Sequence, residues 1–396
     1  MQIETIGFDH HNRVRLVFGN GAVSRLGELA KELGASRILL VTDPGLMQAG
    51  HPQRGEESLR AAGLEVTVFS QAEENPTTKC VERCAQAGRE ANVDLIVGLG
   101  GGSSLDTAKG GNFLLTNGGR MQDYWGVGKA TKPMLPLIAV PTTAGTGSDC
   151  QSFALISDAE THVKMACGDP KAAPRISILD PELTISQPAL VTARTGMDAI
   201  THAVETAVTK KRNSISWLYS CESFRLTQHS YERVLSDPHD LEARASMLLG
   251  AAYAGIAIEN SMLGAAHALA NPLTAQYQMV HGQAVGMMLP HVVRWNGQDA
   301  VIRKQYADFA LFGGIVDSQI DEEGAVERLA QRLEELLDAA NMPRSLADFN
   351  VSPNEISTLA EAAVKQWTGT FNPRELTVDD FHILYQNALR VKPAAV

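Results

Sequence analysis

Short apolar runs rich in β-branched residues recur through the first half of the chain, and this repetition constrains the fold more than any other feature. Turn-forming Gly, Pro and Asp bound the runs, and the stretch 77–91 between the second and third has the pattern of a helix. The runs are 37–42, 64–69, 94–99, 137–140 and 175–180. Buried strands that alternate with helical segments predict βαβ units and a doubly wound α/β sheet, a common architecture for nucleotide binding.

The second half of the chain has a different pattern. After about Leu183 the β-branched runs disappear, and segments rich in Ala, Leu, Glu and Met follow. Between Asp321 and Pro343, apolar residues recur at steps of three and four, which predicts a helix with one buried face. We therefore expect an α/β nucleotide-binding domain over 1–186 and an all-helical domain over 187–396, with a cleft between them.

Charge and cysteine content exclude several classes of protein. Lys and Arg total 34 against 45 Asp and Glu, which gives a formal net charge of -11. This sign argues against nucleic acid or an anionic membrane as the main partner. The five cysteines form no CxxC pair, the N-terminus lacks a signal-peptide pattern, and no run approaches the roughly 20 apolar residues of a membrane span. These features predict a cytoplasmic protein with reduced thiols.

A glycine cluster follows the third predicted strand and leads into a helix, in the segment GLGGGSSLDTAK at 98–109. Glycines let backbone amides approach phosphate oxygens, and the N-terminus of a helix adds free N–H donors, so a pyrophosphate fits this segment. The alternative is a tight strand-to-helix turn capped by Ser103 or Ser104. The segment is not a P-loop, because Lys109 lies inside the helix and the required spacing is absent.

Two further loops follow predicted strands and could contact the same nucleotide. The segment PTTAGTGSD at 141–149 offers hydroxyls and amides to phosphate, ribose or the nicotinamide amide, unless it is only a long polar turn. Asp43 follows the first run and could accept hydrogen bonds from an adenosine ribose, although Asp-Pro-Gly is also an ordinary turn sequence. Its charge would repel a 2′-phosphate, so we expect NAD rather than NADP. Loops at the C-terminal ends of parallel strands converge on one crevice.

A third set of residues in the helical half suits a divalent metal. Asp198 and His202 are four apart, so they project from one helix face one turn apart. His267 and His281 lie in apolar segments further on. One carboxylate and three imidazoles would make a four-ligand site for Fe²⁺ or Zn²⁺. The alternative is that either histidine is an ordinary core residue.

Taken together, these segments resemble the iron-containing (group III) alcohol dehydrogenase family, within the dehydroquinate synthase-like superfamily. The resemblance covers nearly the whole chain. It is carried by the segments VTDPGL, ENPT, GGGSSLDTAK, PTTAGTGSD, DPELT, GMDAITHAVE, HALANP, HG and NPRELT.

The resemblance implies a nucleotide-binding α/β domain and an all-helical C-terminal domain that binds the metal and the substrate, with the active site in the cleft between the domains. It also implies an enzyme that transfers hydride between NAD(H) and a small alcohol or aldehyde. The metal is usually iron, with zinc in some members, and dimers or larger assemblies are common. The implied metal ligands, which also serve catalysis through the metal, are Asp198, His202, His267 and His281. The implied NAD(P) contacts are Asp43, Asn75, Gly100, Gly101, Gly102, Ser103, Thr142, Thr143, Thr146, Lys164 and Leu183.

One position departs from the family pattern. Many relatives carry a histidine four residues after the third ligand, where this chain has Asn271 followed by Pro272. An amide can orient a water or a hydroxyl but cannot act as a general acid or base. Residues before proline avoid α geometry, so we expect the ligand helix to end at Asn271.

Two other functions remain open at this point. The first is a zinc polyol dehydrogenase or a dehydroquinate synthase-like lyase on the same fold. The second, of a different class, is a catalytically silent nucleotide- or metal-binding scaffold subunit. Turnover of simple alcohols against cyclisation of a sugar phosphate would separate the enzymes, and a flat activity screen of the metal-loaded protein would favour the scaffold.

Overall fold

The computed structural model describes residues 7–390. The described chain divides into two compact units, one of residues 11–187 and another of residues 188–390 together with residues 7–10. The first unit is an α/β structure with a parallel sheet and the second is helical, so the predicted fold class is confirmed.

A six-stranded parallel sheet forms the centre of the α/β unit. Its strands, in spatial order, are β1 (Arg15–Phe18), β9 (Ile176–Leu179), β6 (Leu137–Pro141), β4 (Leu95–Gly100), β2 (Arg37–Val41) and β3 (Glu65–Phe69). The five predicted runs are the strands from β9 to β3. The sequence analysis missed β1, an edge strand of four residues in which two are exposed and only three apolar residues follow one another.

Helices and a second sheet complete this unit. The helices are α1 (Leu26–Glu32), α2 (Pro44–Ala49), α3 (His51–Ala61), α4 (Thr78–Glu90) and α5 (Gly102–Asn117). The helix expected over 77–91 is α4, and the side chain of Thr77 caps it by accepting from the Cys80 amide. A small sheet comprises β5 (Gly126–Val127), β7 (Phe153–Ser157) and β8 (Lys164–Gly168), with β8 in the middle.

The second unit is built from nine α-helices within residues 188–390. They are α6 (Ala189–Thr206), α7 (Ser214–Ser236), α8 (Leu241–Ser261), α9 (Ala265–Tyr277), α10 (His281–Asn296), α11 (Ala300–Phe312), α12 (Glu322–Ala339), α13 (Ile356–Ala363) and α14 (Val378–Leu389). Asp321 caps α12, whose apolar stripe is buried. The helix expected between Asp321 and Pro343 is therefore present.

The prediction that the ligand helix ends at Asn271 is wrong. Helix α9 continues through Pro272 to Tyr277. Proline disfavours α geometry at the residue before it, and it lacks the N–H that would bond to the carbonyl of Ala268. Burial of the apolar side chains of Leu269 and Leu273, which are both fully inaccessible, offsets this cost.

One helix in the described chain is long and apolar enough to cross a membrane by length and composition, although the sequence analysis recognised none. It is α8, and 67% of its most apolar window is buried inside the protein. A core helix shows this combination, and the burial of Leu248, Ala254 and Ile258 agrees with that interpretation.

Candidate metal and nucleotide sites

Helix α6 presents three polar side chains on one face. Asp198, His202 and Glu205 follow each other at steps of four and three, which places them along one stripe of a helix with 3.6 residues per turn. All three are buried, with exposed fractions of 5%, 4% and 3%. A stripe of acidic and imidazole groups inside an apolar helix bundle indicates a polar site rather than packing.

Two other helices bring the remaining histidines to this stripe. His267 lies in the first turn of α9, and His281 is the first residue of α10. Gly282 lets α10 approach α6 closely, because a Cβ at that position would be 2.0 Å from the backbone oxygen of Arg194. The His-Gly pair therefore has a structural reason, since only glycine permits the contact that brings His281 beside Asp198.

The donor atoms of the four predicted ligands lie close together. The Nε2 atom of His202 is 3.1 Å from Nε2 of His267 and 3.4 Å from Oδ1 of Asp198. Oδ1 is 3.7 Å from Nε2 of His267 and 3.8 Å from Nε2 of His281. Four ligand atoms about 2.1 Å from one ion at tetrahedral corners are roughly 3.4 Å apart. The donor set and its spacing therefore fit a divalent metal.

The charges in this cluster are strongly coupled. Burial by itself would raise the pKa of Asp198, but the surrounding imidazoles of His202, His267 and His281 hold that pKa well below its usual range. Burial would lower the pKa of His267, yet the carboxylates of Glu205 and Asp198 raise it to about 9. Although Oδ1 of Asp198 is buried, it accepts no hydrogen bond from any of residues 7–390. A cation is the natural partner for such an oxygen.

Glu205 is a residue of this site that the sequence analysis did not select. Its Oε2 is 2.5 Å from Nδ1 of His267, and its Oε1 accepts from the backbone amide of Ala266 at 2.6 Å. The signal that could have identified it is its spacing, because a carboxylate seven residues after Asp198 must share the same helix face.

The two polar loops of the α/β unit lie against each other. Strands β4 and β6 are parallel neighbours with Gly100 paired to Pro141, so the loops that follow them leave the same edge of the sheet. A Cβ on Gly101 would be 3.2 Å from Thr143, and a Cβ on Gly102 would be 2.7 Å from Thr146. The glycines are needed for this close approach, which leaves the first-turn amides of α5 beside the threonine hydroxyls.

Other predicted nucleotide contacts lie at the same loop. The Asn75 amide donates to Oγ of Ser103 at 3.3 Å, and Nζ of Lys164 lies 3.4 Å from Oδ1 of Asn75. Asp43 caps α2 through the Leu46 amide, and it also accepts from Oγ of Ser104 at 3.2 Å.

Thr142 and Leu183 are placed differently from these residues. The amide of Thr142 donates to the carbonyl of Gly100, which ties the second loop to the glycine segment. Leu183 is fully buried among apolar side chains of the core. The structure therefore does not bring the Leu183 side chain together with the polar loops.

A buried lysine braces the second loop, and the sequence analysis gave it no role. Lys109 is fully inaccessible, and its Nζ donates to Oγ of Ser148 at 2.8 Å and to the carbonyl of Phe153 at 2.9 Å. Ser148 in turn donates to Asp106 at 2.7 Å. The Asp106 and Lys109 pair, three apart on a helix that carries no other charge, was the available signal for such a brace.

Asn271 is half-buried and already has a hydrogen-bond partner. Its amide donates to Oε1 of Gln366 at 3.0 Å. Neither amide side chain titrates near neutral pH, so this pair can orient a hydroxyl or a water but cannot exchange a proton.

Both units match models of a known protein family. Residues 14–181 match the family described as iron-containing alcohol dehydrogenase, and residues 192–389 match the C-terminal part of the Fe-containing alcohol dehydrogenase family. The two matches together account for most of the chain.

The chain is also similar in sequence and structure to individual dehydrogenases and reductases. The chain is 35% identical over 375 residues to the NAD-dependent methanol dehydrogenase of Bacillus methanolicus, covering 94% of this chain and 97% of that protein. The solved structure of a 1,3-propanediol oxidoreductase is similar with a TM-score of 0.93 and 33% identity, over 97% of this chain and all of that one. Sulfoacetaldehyde reductase from Bifidobacterium kashiwanohense, solved in complex with NAD⁺, is similar with a TM-score of 0.88 and 28% identity, over 98% of this chain and all of that one.

Proposed function

Because the chain belongs to the iron-containing alcohol dehydrogenase family, we propose that its metal is held by Asp198, His202, His267 and His281. The enzyme is a metal-dependent oxidoreductase that transfers hydride between NAD(H) and an alcohol or aldehyde. The observation that carries the ligand assignment is the convergence of one carboxylate oxygen and three imidazole nitrogens at 3.1 to 3.8 Å.

The ligand residues have separate tasks in this proposal. When bound, the ion supplies a Lewis acid for the substrate oxygen, and the nicotinamide exchanges the hydride. Asp198 contributes a negative charge that offsets part of the charge of the cation, and its otherwise unbonded Oδ1 gains a partner. His281, whose side chain is 33% exposed against 4% for His267, is the more solvent-accessible of these two ligands.

We assign NAD(H) to the loops of the α/β unit. The pyrophosphate is proposed to accept hydrogen bonds from the amides of the Gly100–Ser103 segment at the start of α5, where the helix dipole also favours negative charge. Thr142, Thr143 and Thr146 are proposed to contact the nicotinamide half, and Asn75 and Lys164 the phosphates. Asp43 is proposed to bind the adenosine ribose and disfavour a 2′-phosphate, with Leu183 as a backbone contact.

We propose a small alcohol or aldehyde without a phosphate group as the substrate. The relatives named above include a methanol dehydrogenase and a 1,3-propanediol oxidoreductase. The segments that carry the four ligands, 195–205, 262–270 and 279–290, contain no Lys or Arg. A phosphorylated substrate would require such cations nearby, which argues against a dehydroquinate synthase-like lyase.

The test is reconstitution of the purified apoprotein with Fe²⁺ or Zn²⁺, followed by NADH formation from a panel of alcohols and NADH consumption with the matching aldehydes. We expect metal-dependent turnover of short alcohols or diols and none of a sugar phosphate. Full metal loading without turnover of any alcohol or aldehyde would contradict the proposed substrate class.

We also propose the finer features that the resemblance implies. The domain boundary is placed at residues 186/187, and the assembly is a homodimer or a larger homo-oligomer. A cytoplasmic location is supported by the five cysteines, which are buried and form no disulfide within residues 7–390. Limited proteolysis tests the domain boundary, light scattering the assembly, and cell fractionation the location.

A further inference from the structure

We propose that Glu205 is a positioning residue for the metal site, because its carboxylate fixes the ring of His267 so that Nε2 faces the ion. This inference rests on the proposed function, since it takes His267 as a ligand. Glu205 is buried, with 3% exposure, and is not itself one of the proposed ligands.

The two oxygens of Glu205 serve two groups at the start of α9. Oε1 accepts from the backbone amides of Ala266 at 2.6 Å and His267 at 3.4 Å. Oε2 lies 2.5 Å from Nδ1 of His267. Helix α9 has no cap from its own N-cap residue, Gly264, so Glu205 takes that place from α6. One side chain thus holds both the backbone and the ring of the same residue.

The chemistry of this contact determines the tautomer of His267. A carboxylate oxygen only accepts hydrogen bonds, so when the ring is neutral, as a metal ligand must be, its proton lies on Nδ1 and its lone pair on Nε2. Nε2 is the atom that faces His202 at 3.1 Å and Asp198 at 3.7 Å. A hydrogen bond of this kind also raises the basicity of the ligating nitrogen, which strengthens its bond to a metal.

Glutamine has nearly the same shape but cannot satisfy both donors. If its oxygen faces Nδ1, its amide group opposes the Ala266 N–H, donor against donor. If its amide faces Nδ1, the ring proton moves to Nε2 and blocks the lone pair that would bind the metal. The substitution therefore weakens the metal site in either orientation while preserving the volume of the side chain.

The competing explanation is that Glu205 only caps α9. Asn372 provides a matched control, because its Oδ1 accepts from the neighbouring Ala265 amide at 3.4 Å. Asn372 also pairs with Asn296, so its loss destabilises the same region, but it makes no hydrogen bond with His267 among those found in the described chain. A capping role predicts similar effects of changes at both residues, and a positioning role does not.

The experiment compares Co²⁺ and Zn²⁺ titrations of the apo forms of wild type, E205Q, N372A and H267A. Replacing a residue that hydrogen-bonds to a metal ligand typically weakens metal binding by about 10- to 100-fold. We therefore expect the metal Kd of E205Q to rise by about 10- to 100-fold. The visible absorption of bound Co²⁺ should also change. For N372A we expect a lower Tm with a metal Kd within about threefold of wild type, because the ligand ring keeps its partner.

Three outcomes overturn the inference in distinguishable ways. If H267A loses the metal but E205Q binds like wild type, Glu205 has no positioning role and the ligand assignment stands. If N372A weakens metal binding as much as E205Q, the effect is general destabilisation of this helix end. If H267A itself binds metal normally, the ligand assignment under the proposed function fails, and the inference fails with it.

A second variant covers the case in which E205Q does not fold. A Cβ on Gly264 would lie 3.1 Å from Oε1 of Glu205, so Gly264→Ala displaces the carboxylate by a few tenths of an ångström without removing it. We expect folded protein with weaker Co²⁺ affinity and a shifted Co²⁺ spectrum. A wild-type affinity and spectrum in this variant would overturn the inference.

Discussion

The two candidate sites are built from different parts of the polypeptide. The cluster around Asp198 consists of side-chain donors, contributed by three helices and oriented by further side chains such as Glu205. The proposed nucleotide site around Gly102 relies mostly on backbone groups. Its two loops can lie close together because Gly101 and Gly102 have no Cβ. The metal site should therefore be damaged by removing atoms, and the nucleotide site by adding them.

The largest effect is expected when the metal site loses one donor. We expect His267→Ala to retain little metal and to lower kcat on the order of 10³-fold, because Lewis-acid catalysis contributes several kcal/mol to the lowering of the barrier. Elemental analysis and steady-state kinetics check this.

A buried histidine outside the cluster provides the control for this variant. His51 lies in the α/β unit, with Nε2 2.6 Å from Oγ of Ser186. We expect His51→Ala to keep its full metal content. Undiminished metal in His267→Ala would show that the ligand assignment is wrong.

The second largest effect is expected when one methyl group is added to the glycine loop, which tests whether the nucleotide site is damaged by added atoms. In Gly102→Ala the new Cβ would be 2.7 Å from Cγ2 of Thr146, so the two loops must separate. We expect KM for NAD⁺ to rise roughly 10- to 100-fold, because misplaced binding groups carry costs of this size. Metal content should not change.

Ser103→Ala is the control for Gly102→Ala, because it removes an atom from the same loop instead of adding one. It deletes the hydroxyl that accepts from the Asn75 amide, a loss of about 1 kcal/mol. We therefore expect a smaller rise in KM than in Gly102→Ala. A larger rise in KM for Ser103→Ala than for Gly102→Ala would contradict the proposal that the nucleotide site is damaged more by added atoms than by removed ones.

A smaller effect is expected at Asp43, a charged side chain proposed to contact the adenosine ribose. Asp43→Gly removes the carboxylate that would face a 2′-phosphate, and we expect the preference for NAD over NADP to narrow by about tenfold, or about 1.4 kcal/mol. The ratio of kcat/KM for the two cofactors measures this. A wild-type preference for NADPH would contradict the proposal that Asp43 disfavours a 2′-phosphate.

Asp43 also caps α2, so its structural role needs a control. Serine preserves an N-cap oxygen but carries no charge. We therefore expect Asp43→Ser to narrow the preference as much as Asp43→Gly does. If the preference for NAD over NADP narrows in Asp43→Gly but not in Asp43→Ser, the cause is the lost N-cap of α2 and not the lost charge.

The smallest effect is expected at Asn271. Asn271→His should add an ionisation to the pH dependence of alcohol oxidation, because an imidazole titrates near neutral pH and the amide does not. Metal content should stay unchanged, and the substrate ranking should shift. Asn271→Leu, which has a similar shape and no titratable group, should add no ionisation. Superimposable pH profiles for wild type and Asn271→His would show that this position takes no part in the chemistry.

Much of the fold could be predicted because its signals are local. The strands β2, β4 and β6 are buried runs bounded by turn residues, and Thr77 and Asp321 mark the starts of their helices. The short edge strand β1 and the helix that continues through Pro272 could not be predicted in the same way. Their conformations depend on pairing and burial against distant segments.

The sequence by itself determined which residues could do the chemistry. The spacing of Asp198 and His202 defines one helix face, and the glycines at 100–102 define a loop that backbone groups can approach. Only the tertiary structure decided how the helices of the second unit bring their side chains together. The convergence of three helices around Oδ1 of Asp198, and the reach of Glu205 from α6 to the ring of His267, join residues more than 60 positions apart. Such contacts depend on packing, which no local periodicity encodes.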